Sequence, residues 1–153
     1  MSDIRIIYGS TSGNTELVCE FVCHVLTGHG HEVILQRVEH ARLEDLDGHD
    51  LVVLAASTYG HGILQDHFIP FAERLEQQDL SGKRFAVIGL GDDKYDAEYN
   101  VESAVILEDL VSTRGGELIT GALMINKPPV PQLQTKVHAW AEGLAAQLLQ
   151  TER

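Results

Sequence analysis

Three short segments concentrate the polar, glycine and aromatic residues of this chain that could do chemistry. The first is Ser10-Thr11-Ser12-Gly13-Asn14-Thr15, four hydroxyls, one amide and one glycine in six positions. Short side chains of this kind offer O–H donors and leave backbone N–H groups open, and a helix beginning there adds its own unpaired N–H groups. Such a loop cradles an anion without a cation of its own. It lacks the Lys of the triphosphate loop G-x-x-x-x-G-K-[ST] and the spacing of the dinucleotide fingerprint G-x-G-x-x-G, so a monophosphate suits it better. The same residues also cap helices, but a cap uses one hydroxyl and here there are four.

The second segment is Ser57-Thr58-Tyr59-Gly60-His61-Gly62, and the third runs from Gly89 to Tyr99 as G-L-G-D-D-K-Y-D-A-E-Y. Each joins glycine to an aromatic ring. Tyr59 and Tyr95 could cover the two faces of a flat ring system, while the glycines let main chain approach its edge and change conformation. The remaining candidates are weaker. Cys19 and Cys23 stand four apart on a helical pattern, where they suit packing better than a disulfide. The histidines other than His61 (His24, His29, His31, His40, His49, His67 and His138) show no metal-ligand spacing and read as solvated. Trp140 follows an apolar helical stripe and reads as core.

The elements that must position these segments are legible as alternating periods. Apolar runs at Ile4 to Tyr8, Val33 to Gln36, Leu51 to Ala56, Phe85 to Leu90 and Glu117 to Ile125 predict five strands. Between them Leu17 to Val25, Phe68 to Leu75, Ala104 to Val111 and Val137 to Leu148 carry the helical period. Alternation of this kind predicts an α/β fold, a doubly wound parallel sheet with helices on both faces. The first, third and fourth strands are nearly continuous in apolar residues and read as central; H-E-V-I-L-Q-R-V carries more polar positions and reads as an edge. The second crossover, A-R-L-E-D-L-D-G, offers only a short turn of helix. Each of the three candidate segments follows a strand, at the end where doubly wound sheets bind ligands.

The whole chain sets the outer bounds. At 153 residues, with 44% hydrophobic, fourteen glycines and four prolines, it predicts one compact domain over 1–153 that needs no staple. Eleven basic against 23 acidic residues give a net charge of −12, which disfavours nucleic acid and anionic membranes and favours basic protein partners. The start M-S-D-I-R-I-I-Y-G-S has no charged-then-apolar leader, and no run approaches 18 apolar residues, so the expectation is a cytoplasmic protein without membrane insertion. No repeat or linker divides it; Lys127-Pro128-Pro129-Val130-Pro131 only joins the fifth strand to the last helix.

With these residues in view, the chain resembles the flavodoxins over essentially its whole length. T-S-G-N-T-E at Thr11 to Glu16 is similar to the family's phosphate loop, S-T-Y-G-H-G-I-L-Q-D-H-F-I-P to its second loop and following helix, and G-L-G-D-D-K-Y to its third. The resemblance implies a five-stranded sheet in the order 2-1-3-4-5 and FMN at the switch between the first and third strands. It further implies that Ser10, Thr11, Ser12, Gly13, Asn14 and Thr15 hold the phosphate. Ser57 and Thr58 would lie near the ribityl chain, and Tyr59 and Tyr95 on the inner and outer ring faces. Main-chain groups of Leu90, Gly91, Asp92 and Tyr99 would read the pyrimidine edge. The Gly60 carbonyl, in the Gly60-His61-Gly62 turn, would stabilise a neutral semiquinone.

The function so implied is a low-potential one-electron carrier using the semiquinone/hydroquinone couple. It would be a monomer working in transient complexes with basic-surfaced redox proteins, a reductase donor and an acceptor enzyme. Asp66, Asp92, Asp93, Asp96 and Glu98 would lower the potential of the second electron by repulsion. The fifth strand runs into Lys127 without the insertion of long-chain members, which points to the short-chain class. Tyr59 stands where the family often has Trp, and His61 where a carboxylate is common; protonated His61 would raise the second potential relative to its neutral form. Two other readings compete. An FMN-dependent NAD(P)H quinone-type reductase would need added loops or a subunit interface; a phospho-receiver would need clustered acids after the first strand, where this chain has Gly9 and Ser10.

Overall fold

The computed structural model describes residues 2–10, 13–59, 63–91, 101–126 and 128–151. Strands β1 (Asp3–Gly9), β2 (Glu32–Arg37), β3 (Leu51–Tyr59) and β5 (Arg84–Gly91) run parallel in the order β2-β1-β3-β5. The short strands β6 (Glu117–Leu118) and β7 (Leu123–Asn126) both lie parallel to β5 at the far edge, and the two-residue β4 (Ile63–Leu64) folds back antiparallel on β3. Taking β6 and β7 as one interrupted fifth strand, the parallel order is the anticipated 2-1-3-4-5.

Helices cover both faces because β1, β3 and β5 are apolar on both. On one side Ile4, Ile6, Tyr8, Val53 and Ile88 pack under α1 (Asn14–Gly28) and α4 (His138–Thr151), which contribute Val18, Val22, Leu26, Ala141, Leu144 and Leu148. On the other, Ile7, Val52, Leu54 and Val87 pack under α2 (Phe68–Leu75) and α3 (Glu102–Thr113), through Phe68, Phe71, Leu75, Leu107 and Val111. The chain therefore winds one way from β1 to β2 and the other way from β3 onward. β2 is the edge its polar positions predict, with Ile34 half-exposed.

Several local features depart from the sequence reading. The run Glu117 to Ile125 is not one strand. It breaks around Gly121, whose carbonyl turns out of the ladder to accept the Trp140 indole N–H at 2.8 Å, so a residue with little strand preference yields to a tryptophan. Trp140 is accordingly half-buried, tying α4 to the sheet edge. The second crossover, by contrast, is as read: a short turn of helix, here 3₁₀ at Leu43–Leu46, follows another at Val38–His40, and Val38, Ala41 and Leu46 are buried. Two histidines are not solvated: His31 is buried and its Nδ1 accepts the Ser2 N–H at 3.0 Å, and the half-buried His49 accepts the Arg5 Nε–H through Nε2 at 3.0 Å. The prolines after β7 lead through a 3₁₀ turn at Val130–Gln132 and a wide turn at Leu133–Val137 into α4. Cys19 is buried and Cys23 half-buried, both free thiols. Among the described residues no helix is long and apolar enough to cross a membrane.

Candidate functional site

Register places the strand ends that lead into the three candidate segments side by side. Gly9 at the end of β1 pairs with Ala56 of β3, and Ser57 pairs with Leu90 of β5, so three neighbouring strands stop at one edge, where the winding reverses. A doubly wound sheet leaves a crevice at that reversal because the following helices depart to opposite faces.

The first segment is shaped by its own hydroxyl. Ser10 is buried, and its Oγ accepts the Gly13 N–H at 3.0 Å. Gly13 takes φ +92°, a left-handed conformation that favours glycine, and turns the chain directly into α1. Among the described residues no side chain caps the first-turn N–H groups of this helix, which are the donors an acceptor there would meet. Thr15 is buried and Asn14 exposed beside it. Thr11 and Ser12 lie outside the described residues.

The loop is not without a cation, as its sequence suggests. Arg37, the last residue of β2, pairs in register with Tyr8, and its guanidinium lies over the Tyr8 ring, 5.6 Å from the centroid. From there it donates to the Ser10 carbonyl at 3.0 Å, to Glu16 Oε2 in the first turn of α1 at 3.1 Å and to Glu39 Oε2 at 3.1 Å. The Glu39 hydrogen bond holds the Arg37 guanidinium above its usual range. Burial pushes the Glu39 carboxyl up, but its own backbone N–H and Arg37 outweigh burial and hold it below the usual range. Burial, with Glu16 next, raises the Tyr8 phenol. No local pattern around Arg37 points to this role; only the β1–β2 register brings it to the loop.

In the second segment β3 continues to Tyr59, and β4 pairs with Thr58 and Tyr59. The Ser57 carbonyl accepts the Gln65 N–H at 3.0 Å. Ser57 is half-buried near the strand end. The Thr58 hydroxyl is engaged elsewhere: it accepts the Ser103 N–H at 2.9 Å and donates to Ser103 Oγ at 2.8 Å. Ser103 Oγ in turn donates to the Ala56 carbonyl at 3.0 Å. Thr58 therefore anchors the start of α3, and strand alternation explains why, since Ala56 and Thr58 face α3 while Ser57 faces the other way. Gly60, His61 and Gly62, and the ring of Tyr59, lie outside what is described.

At the third segment, Leu90 is buried and Gly91 ends β5. A Cβ on Gly91 would stand 2.6 Å from the Val101 nitrogen, and one on Gly89 would stand 2.7 Å from Ala104 Cβ. These glycines let the first turn of α3 rest directly on the strand. Val101 itself has φ +54°, the positive value among described non-glycine residues, at a cost of roughly 1–2 kcal/mol for such a conformation. Asp92, Tyr95 and Tyr99, with Asp93, Asp96 and Glu98, lie outside the described residues; Asp66 is exposed just before α2.

The described donor set fits a phosphate ester: a helix start with no described side-chain cap and buried Ser10 and Thr15 at one strand end, with two further strand ends in line beside it. Among the described residues no group of three or more His, Cys, Asp or Glu could hold a metal ion.

The comparisons with known proteins agree with this arrangement. The flavodoxin family model matches residues 6–140. The chain is 34% identical over 148 residues to a flavodoxin of Maridesulfovibrio salexigens, covering 95% of this chain and 98% of that protein. In structure it is similar to a short-chain flavodoxin associated with a PDU bacterial microcompartment, with TM-score 0.87, 26% identity and coverage of 97% and 99% of the two chains. It also shares the fold of a Fusobacterium nucleatum flavodoxin bound to flavin mononucleotide, with TM-score 0.81 at 18% identity, covering 96% of this chain and 99% of that one.

Proposed function

The chain belongs to the flavodoxin family, and from that premise we propose that it is a one-electron carrier that binds FMN without a covalent bond. The observation that carries the reading is the alignment of the α1 start with the ends of β3 and β5 along one crevice. Bound there, FMN supplies two successive one-electron steps, of which this protein would use the one at lower potential.

The residues divide the work by chemistry. Ser10, Thr11, Ser12, Gly13, Asn14 and Thr15 would hold the phosphate through N–H and O–H donors, helped by the positive end of the α1 dipole. Ser57 would face the ribityl chain, and Thr58 would contribute main chain only, its hydroxyl being committed to Ser103. Tyr59 and Tyr95 would cover the ring faces, with Gly60, His61 and Gly62 at one ring edge. Main-chain groups of Leu90, Gly91, Asp92 and Tyr99 would lie at the other. Acids at Asp66, Asp92, Asp93, Asp96 and Glu98 would disfavour added negative charge on the ring, and a protonated His61 would offset part of that. With a net charge of −12, encounter with a basic-surfaced reductase or acceptor would be steered electrostatically and fall off with salt. We further read the protein as a cytoplasmic monomer without substrate turnover of its own.

Purified protein should be yellow and release FMN on denaturation, and stepwise reduction should pass through a blue stage before bleaching. Reduction should require a reductase, with no steady NADH or NADPH oxidation by the protein alone. A colourless protein that fails to take up added FMN ends the reading; steady nicotinamide oxidation by the pure protein replaces carrier with reductase.

A further inference from the structure

We infer that Arg37 is a positioning residue for the phosphate end of the site, acting from the neighbouring strand by gripping the loop at both ends and cancelling the charge of Glu16. The inference rests on the FMN reading above. Three nitrogens of one guanidinium go to three acceptors: Nη2 to the Ser10 carbonyl at the loop's entry, Nη1 to Glu16 just past its exit, and Nε to Glu39. The Tyr8 ring beneath fixes the plane of the group. A planar fork with rigid donors suits such a clasp, and an ammonium does not.

The electrostatic consequence follows from where Glu16 stands. It is the acid in the first turn of α1, the turn whose N–H groups face the loop. A carboxylate there suits a helix dipole but opposes a second anion at the same N-terminus. Arg37 pairs with it, and pairs also with Glu39, whose other neighbour is the exposed His67 at 3.9 Å. With Arg37 in place the trio of Arg37, Glu16 and Glu39 carries one net negative charge; without it, two. The side chain is 35% exposed, so the effect on a phosphate dianion is that of one surface charge in a mostly aqueous dielectric, roughly tenfold in affinity. The isoalloxazine ring is uncharged and should feel little of it.

The test compares apoprotein affinities for FMN and for riboflavin, which lacks the phosphate, by the loss of flavin fluorescence on binding. Arg37→Gln should weaken FMN roughly tenfold and riboflavin by less than about twofold, and the difference should shrink at high salt. Adding Glu16→Gln to Arg37→Gln should restore most of the loss. Arg37→Lys, which keeps charge but not the fork, should fall between, and it keeps the test alive if Arg37→Gln folds poorly. Equal weakening of both flavins would mean that Arg37 only supports the sheet edge, and an unchanged FMN affinity would mean that it does nothing for the site; either overturns the inference while wild type still binds FMN. Failure of wild type to bind FMN removes the cofactor reading itself, and this inference with it.

Discussion

Gly89→Ala adds one methyl group at the point where the sheet and the start of α3 meet. Gly89 lies in β5 between the buried Ile88 and Leu90. The new Cβ would stand 2.7 Å from Ala104 Cβ, 2.8 Å from the Ala104 nitrogen and 2.9 Å from Val101 Cγ1. Two of these atoms are held by the helix backbone and cannot swing aside. Relief to ordinary contact needs a shift of about 1 Å in the start of α3, as interiors pack at close to crystal density. Overpacking of this kind costs about 1–3 kcal/mol. The same shift strains the bonds that Ser103 makes to Thr58 and to the Ala56 carbonyl, each worth about 1 kcal/mol. Reduced freedom of the unfolded chain returns about 0.4–1 kcal/mol. The net is a loss of about 2–4 kcal/mol, or a fall in Tm of roughly 4–16 °C at about 2–4 °C per kcal/mol for a chain of this size. Urea unfolding followed by far-ultraviolet circular dichroism measures it, provided the m-value is unchanged. Gly143→Ala is the control of opposite sign: it lies in α4 with no heavy atom within 4 Å of the added Cβ, and should stabilise by about 0.5–1 kcal/mol. A loss below about 0.5 kcal/mol for Gly89→Ala, or the same sign at both glycines, would refute the packing argument.

Thr58→Val keeps shape but removes the hydroxyl that pairs with Ser103, and should destabilise by about 1–3 kcal/mol in the same assay; a wild-type unfolding curve would show those bonds to be worth nothing. The Asp45 carboxylate accepts the Arg42 N–H at 2.8 Å and Gln36 Nε2 at 3.1 Å, with Arg5 at 3.7 Å; the Arg42 bond above all holds it below the usual carboxylate range. The unfolded chain therefore takes up this proton first as acid is added. The stabilisation is complete above about pH 4 and is lost as pH falls through the depressed folded value, so Asp45→Asn should flatten the acid limb of stability against pH; identical limbs would refute it. Burial above all, then Cys23, raises the Cys19 thiol, so a thiol reagent at about pH 8 should label Cys23 alone in the native protein and both cysteines in urea. Equal native labelling would place Cys19 nearer the surface.

What the sequence made legible is what depends on neighbours along the chain. The apolar runs of β1, β3 and β5, the polar edge of β2 and the stripes of four helices are local periods, and each stands where its period places it. The candidate loops were visible for the same reason, since a loop at a strand's carboxyl end needs only the strand before it. Arg37 was invisible because its acceptors, Ser10 and Glu16, lie 27 and 21 residues away and meet it only through register. Thr58 was read toward the ligand because a hydroxyl in a loop of hydroxyls gives no sign that Ser103, 45 residues on, will claim it. Gly121 was read through as strand because the indole that pulls its carbonyl out of line belongs to the last helix.

The glycines carry the same lesson into the site itself. A glycine beside a candidate ligand invites the reading that ligand and main chain must touch, yet among the described glycines of the three segments only Gly13, at φ +92°, has a positive φ that the turn requires. The space a side chain would need at Gly89 and Gly91 is taken by Val101 and Ala104, and at Gly9 by Gln65, whose Oε1 also accepts the Phe68 N–H at 3.0 Å at the start of α2. These three glycines therefore seat two helix starts against the strand ends, and they would be needed whether or not anything were bound. The seating of these strand ends against α2 and α3 is in that sense a property of the protein's own packing, set by Gln65, Val101 and Ala104.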